Sequence, residues 1–316
     1  MISYVVKAME WLYVNLTKDY VLTIIFMSVA LKLITLPADV MQKRTARKTS
    51  ALAPQVEKIR KKYGEDVQLI QRKTNELYRA NNVNQFAGCL PMLLTFALFI
   101  VFVNAMTMWG NVKTIKLFEE TMHGNPEYIE NYRWNWVRNI WLPDSGLEQV
   151  VMKPANFARI KVDDLTPFFD AKTIDDVKNM SEEINKYNEE QKAAGTDEKN
   201  GPYEQAMKPI IDHHRNDKGE EMRNGWFALP VIAGITMLAQ QFLAMRNMKN
   251  DSQTPGMGKG TMYMMSAFSL IVCFQYNAAF AIYWIIGNVF SMITTILFNI
   301  SGKISDNRLN QKEASR

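Results

Sequence analysis

Histidine and cysteine are scarce in this chain, with three and two among 316 residues. His123, His213 and His214 lack the spacing of zinc ligands, and no motif assembles a nucleophile, a base and a metal set. An enzyme is therefore not expected, and neither a metal nor another cofactor is called for. Asp212, His213 and His214 are expected to form a solvated helix end. Cys89 and Cys273 both fall inside apolar runs, so no disulfide framework is implied. Also missing is a basic N-terminal stretch followed by a continuous apolar core, which argues against a removable signal segment. The glycines and lysine of residues 255–260 fail the spacing of a phosphate-binding loop and are expected to form a connector. No internal repeat of the kind found in many secondary transporters is visible.

What the chain has instead is apolar residues in blocks. The mean hydropathy of −0.18 averages over them and conceals them. Five runs, at 20–37, 88–108, 226–245, 262–276 and 279–300, approach the roughly 20 residues that carry a helix across a hydrocarbon core of about 30 Å. The expected fold is an all-α integral membrane protein with five transmembrane helices. Residues 1–19 are expected to be an amphipathic interfacial helix, because Val5, Met9, Leu12 and Leu16 recur at helical spacing beside Trp11 and Tyr13.

Charge orients the spans, since short cytoplasmic loops carry the excess of Lys and Arg. Residues 38–87 hold 11 basic and 5 acidic side chains, the loop 246–260 holds 3 and 1, and the tail 301–316 holds 4 and 2. Between the second and third runs, residues 110–225 hold 16 basic and 22 acidic side chains. These assignments agree only with an outer N-terminus and a cytoplasmic C-terminus, which makes 109–225 an extracytoplasmic, mostly helical insertion.

Within 38–87, Leu52, Val56, Ile59 and Tyr63 step at helical intervals, Gly64 ends the pattern, and Asp66 can cap a second helix with an apolar face of Val67, Ile70, Leu77 and Tyr78. A cytoplasmic helical hairpin is predicted, with Lys58, Arg60, Lys61, Lys62, Arg72 and Lys73 on solvated faces. Anionic lipid, RNA or an acidic protein would each satisfy those charges.

Inside the first run stands Lys32, an ionisable residue whose insertion costs about 2.5–3.5 kcal/mol and which is a functional candidate by default. Ser28, Lys32, Thr35 and Asp39 share one helical face. Trp284, Asn288, Ser291 and Thr295 repeat that stripe in the fifth run, Ser266, Ser269 and Cys273 begin it in the fourth, and Thr236 and Gln240 add a pair in the third. Polar faces in a bilayer must turn toward one another or toward water, so a hydrated cavity with Lys32 on its wall is expected. Snorkelling of Lys32 to the interface is the bland alternative.

Several segments together resemble the YidC/Oxa/Alb insertases. Residues 30–37, with a basic residue five positions before Pro37, resemble the family's first core span. Residues 52–63 and 77–84 are similar to its hairpin arms, 88–94 to its second span, 229–241 to its third and 281–288 to its last. The resemblance implies a groove open to the cytoplasm and lipid that receives the hydrophilic flank of a nascent membrane protein. On that reading Ser28, Lys32, Thr35, Gln240, Trp284, Asn288, Ser291 and Thr295 line the groove, and the basic hairpin captures clients. The implied partners are nascent membrane proteins, with the ribosome, the Sec translocon and anionic lipids as further candidates and without specific nucleic-acid recognition. The implied location is a bacterial plasma membrane. Lys32 stands where the family usually has arginine, which keeps the charge and loses the bidentate fork. Residues 277–279 replace a frequent proline and glycine, and the basic tail is short. Residues 139–144 resemble the family's interfacial stretch, while 145–225 is extra material with a helix expected over 175–194. The competing expectation is a polytopic channel or transporter for a small solute or lipid, which would also need a charged cavity.

Overall fold

A computed structural model of the chain describes residues 1–83, 86–196, 201–246 and 259–314, with side chains at 86–92, 245–246, 259, 261–262 and 302–314 left undescribed. Of the connector expected at 255–260, residues 255–258 lie outside the described residues, as does the side chain of Cys89, and 259–260 are helical. Secondary structure among the described residues is helical, with two isolated bridges and no strand.

In chain order, α1 spans Ile2–Leu12 and continues into a π turn at Tyr13–Thr17, α2 spans Tyr20–Tyr63 and α3 Val67–Ala80. Then follow α4 at Phe86–Met122, the short α5 at Pro154–Phe157, α6 at Ala171–Ala194 and α7 at Pro202–His213. The chain closes with α8 at Ala228–Arg246, α9 at Lys259–Gln275 and α10 at Ala278–Ala314. Segments 20–63, 93–122 and 278–301 are long and apolar enough to cross a membrane, whereas the apolar parts of α8 and α9, 228–244 and 263–275, are shorter.

Two helices overrun the boundaries expected from sequence. α2 continues through Pro37 and Pro54 to Tyr63, so the expected end of the first span lies inside one 44-residue helix. Each proline removes an N–H from the helix ladder and leaves one carbonyl, of Leu33 and of Ser50, without its usual donor. α4 runs 14 residues past Met108, so the insertion begins on a helix and not in a loop. The capping signals hold: Gly64 adopts φ +61°, and the Asp66 carboxylate accepts from the Leu69 N–H at 3.0 Å. Val67, assigned to the apolar face of α3, is exposed, because it opens the helix just after the cap.

The chain divides into two compact units. One comprises residues 1–25, 101–232 and 270–283; the other comprises 26–100, 233–269 and 284–316.

In the first unit α1 is fastened by a buried ion pair. Lys113 Nζ lies 2.6 Å from Glu10 Oε1, which also accepts from Trp109 Nε1 at 2.5 Å. Tyr20, Trp109, Tyr132 and Trp141 pack edge to face around that pair. Val6 and Met9 are the buried side chains of α1, while Trp11 and Leu16 are exposed. Further along, Asn139 and Asn224 lock together: Asn224 Oδ1 accepts from the Asn139 N–H at 2.8 Å and Nδ2 donates to the carbonyls of Asn139 and Pro143 at 2.9 and 2.8 Å. Asp144 caps α8 by accepting from the N–H groups of Trp226 and Leu229, both at 2.7 Å, and its Oδ2 also takes the Trp136 indole N–H at 3.2 Å. A Cβ at Gly225 would collide with Asp144, so only glycine fits there. The turn before α10 is pinned to the same stretch, since Ala278 and Ala279 donate to the carbonyls of Leu142 and Ile140 at 2.9 Å each.

The insertion has its own core. Phe157 sits 5.2 Å from Phe118 and 4.6 Å from Tyr203 between ring centroids, and Ile174, Val177 and Ile184 of α6 are buried with Met207 and Ile210 of α7. Asp170 caps α6 through the Thr173 N–H, and Gly195 at φ +67° ends it. The histidine end of α7 departs from expectation. His214 is buried, with Nδ1 3.0 Å from the Ile210 carbonyl and Nε2 3.4 Å from Glu130 Oε1, because the chain folds back on the 3-10 turn at Pro126–Tyr132.

Candidate functional site

The candidate site lies in the second unit, on the faces of α2, α8 and α10. Helical spacing puts Ser28, Lys32, Thr35, Asp39 and Lys43 on one side of α2, at successive steps of three or four residues. Ser28 and Thr35 are buried and Lys32 is half-buried. Lys32 Nζ donates to Ser291 Oγ of α10 at 3.4 Å. Gly287, one turn earlier on α10, leaves room for this reach, since a Cβ there would come 3.2 Å from Lys32 Cε. Lys32 is thus directed at the polar stripe of another helix.

Asn288 joins α10 to α8. Its Nδ2 donates to Thr236 Oγ1 at 3.1 Å and points at the Ala233 carbonyl at 3.4 Å, which Ser269 Oγ of α9 also approaches at 3.3 Å. Thr295 is buried and donates to the Ser291 carbonyl at 2.7 Å, so its hydroxyl is satisfied on its own helix. Trp284 is half-buried with its ring edge to Phe99, 5.5 Å between centroids. Gln240 is half-buried on α8. Of the residues predicted for the stripe, the structure joins Lys32 with Ser291 and Asn288 with Thr236.

Sequence reasoning left out two further cations on α2. Lys43 Nζ donates to Thr294 Oγ1 at 2.8 Å, and Arg47 stacks over Phe298 at 4.4 Å with Nη2 3.5 Å from Asn299 Oδ1. The partners rise together along both helices, 32 with 291, 43 with 294 and 47 with 299, so α2 and α10 run in the same direction here. Lys43 comes 11 residues after Lys32, yet their partners are three residues apart on α10. The two side chains therefore converge on one turn of α10. The signal for Lys43 was its phase with Lys32, which its place beyond Pro37 concealed.

On the hairpin, Lys58, Lys61, Lys62 and Arg72 are exposed, and Arg60 and Lys73 are half-buried. Lys61 pairs with Glu57 at 2.7 Å, Arg72 and Lys73 pair with Glu76 at 3.4 and 2.7 Å, and Lys62 lies over the Tyr63 ring at 5.5 Å. Pairs so exposed add little to stability, and they lower the net charge the hairpin presents.

Residues 11–305 match the family model described as 60Kd inner membrane protein, which takes in nearly the whole chain. The chain belongs to this family, the YidC/Oxa/Alb group. The chain is 36% identical over 95 residues to a membrane protein insertase YidC of Clostridium perfringens, a stretch covering 29% of this chain and 40% of that protein. It is 34% identical over 108 residues to the YidC of Clostridium tetani, covering 33% and 49%, and 40% identical over 93 residues to that of Fusobacterium nucleatum, covering 27% and 45%. The matched stretch is thus less than half the length of each of these relatives.

Proposed function

We propose that the chain is a membrane-protein insertase of the bacterial plasma membrane, which receives nascent membrane proteins in a hydrophilic groove and helps them enter and fold in the bilayer. The observation that carries this reading is Lys32, set in an apolar helix and hydrogen-bonded to Ser291 on the polar face of α10. A charge so placed lowers the cost of bringing a polar client flank partway into the bilayer. A unit charge 4 Å from a carboxylate is worth about 4 kcal/mol at an effective dielectric near 20, before desolvation is subtracted.

The groove is lined by Ser28, Lys32, Thr35, Gln240, Trp284, Asn288, Ser291 and Thr295. Five helices span the membrane, with α8 and α9, 19 and 17 residues long, completing the count at the short end of the spanning range. The N-terminus is outside, the C-terminus is cytoplasmic, α1 lies in the outer interface, and α3 with the end of α2 forms the basic hairpin that first meets clients. Anionic lipid headgroups satisfy its exposed cations, and the ribosome and the Sec translocon deliver clients to it.

The test uses matched client tails that differ only in charge, scored by protease protection in membranes holding each variant at equal amount. Lys32→Arg should retain insertion. Lys32→Ala should impair acidic tails more than neutral ones, and Lys32→Glu should be worst for acidic tails. Equal activity of Lys32→Ala and wild type on both tails would return Lys32 to simple snorkelling.

A further inference from the structure

The electrostatics of the groove do not rest on Lys32 alone. Lys43 points at the same face of α10, where Thr294 itself donates to the Ser291 carbonyl at 3.0 Å, so the receptors of the two ammonium groups are contiguous. Between the lysines on α2 stands Asp39, seven residues after Lys32 and four before Lys43, half-buried on the same face. Opposite charges four residues apart on one helical face attract, so Asp39 and Lys43 are neighbours by their spacing. α10 turns the hydroxyls of Ser291 and Thr294 toward the two lysines. Arg47, one turn further on, is held by Phe298 and Asn299.

We propose that Lys32 and Lys43 form a two-ammonium site for client carboxylates, with Asp39 as its resident counter-ion and Lys43 as the residue a client meets first. The proposal rests on the insertase reading and gives its groove a specificity. Without a client, Asp39 partly neutralises two charges that would otherwise repel each other in a poorly solvated place. An arriving acidic flank competes with Asp39 for the same pair, so the site favours tails carrying carboxylates and discriminates against tails too weakly charged to displace the resident one. Asp39 and Lys43 are therefore specificity-determining residues, and they act in opposite senses.

The test uses full-length protein in proteoliposomes and a client pair whose tails carry Asp and Glu or the matched Asn and Gln, read as the ratio of initial rates of protease protection. Lys43→Gln should lower the acidic-to-neutral ratio about threefold or more, Lys43→Arg should restore it, and Asp39→Asn should raise it by a similar factor. A photocrosslinker at position 294 in the otherwise unaltered chain should capture the acidic tail more often than the neutral one, a measurement that does not require the variants to fold. Unchanged ratios in Lys43→Gln and Asp39→Asn with equal capture of both tails, while Lys32→Ala still lowers the ratio, would overturn the two-ammonium site and leave the insertase reading standing. Failure of the wild type to protect either tail above protein-free vesicles would sink the insertase reading itself, and this site with it.

Discussion

At the scale of single residues, the buried Asp144 holds three donors that would otherwise have no acceptor. Asp144→Ala should remove the cap of α8, a change worth about 0.5–2 kcal/mol for the cap alone, and leave the Trp136 indole unpaired as well. Thermal unfolding in detergent should move down by several degrees, and an unchanged midpoint would show that solvent replaces the carboxylate. His214 gives a prediction of opposite chemistry. Burial holds its pKa below the ordinary histidine value, outweighing the hydrogen bond to Ile210 and the nearby Glu130 that pull it up. The unfolded state then binds protons more readily than the folded one, so stability is present above the ordinary pKa near 6.5 and is lost as pH falls through the folded value. Amide protection at the end of α7, taken as the exchange rate relative to that of an unfolded peptide at the same pH, should fall on going from pH 7.5 to 5, and His214→Phe should flatten that dependence. The sequence made Lys32 legible because a charge in an apolar run has no ordinary explanation. Asp39 was legible on the same face by its spacing, whereas Lys43 stayed hidden because charges are commonplace beyond Pro37, and Glu10 and Lys113 because nothing in a linear pattern pairs residues a hundred positions apart.

At the scale of elements, local signals performed well where the physics is local. Gly64, Asp66 and Gly195 mark helix ends by caps and left-handed backbone, which involve only a few neighbouring residues, whereas α6 begins at Ala171 behind an Asp170 cap, four residues before the start expected at 175. Pro37 misled because its local penalty, about 3 kcal/mol in a helix interior, competes with packing contributed by distant segments. The hairpin built from the end of α2 and α3 carries its own caps and ion pairs. Replacing residues 50–80 with a flexible linker should therefore leave a stable protein with poor insertion. The check is membrane accumulation and protease resistance alongside client protection; full insertion after the replacement would remove the hairpin from client capture.

At the scale of the whole molecule, the insertion over 145–225 was legible as extra acidic, mostly helical material, but its attachment was not. Its ends are held by hydrogen bonds between Asn139 and Asn224, residues 85 apart in sequence. Shortening 147–221 to a small turn, with the asparagines, Asp144 and Gly225 retained, should preserve basal insertion. Loss of all activity at normal membrane levels would make the insertion part of the mechanism. The asparagine lock has a consequence for how such chains diversify. It brings the two strands of chain together at the root of the insertion, so whatever is threaded between them is a closed loop on a fixed base. The entropy of closing such a loop grows only with the logarithm of its length, about 0.6 kcal/mol for each doubling. A helical cap of any modest size, or a foreign module grafted in its place, can be exchanged at this point while the helix that follows keeps its starting position.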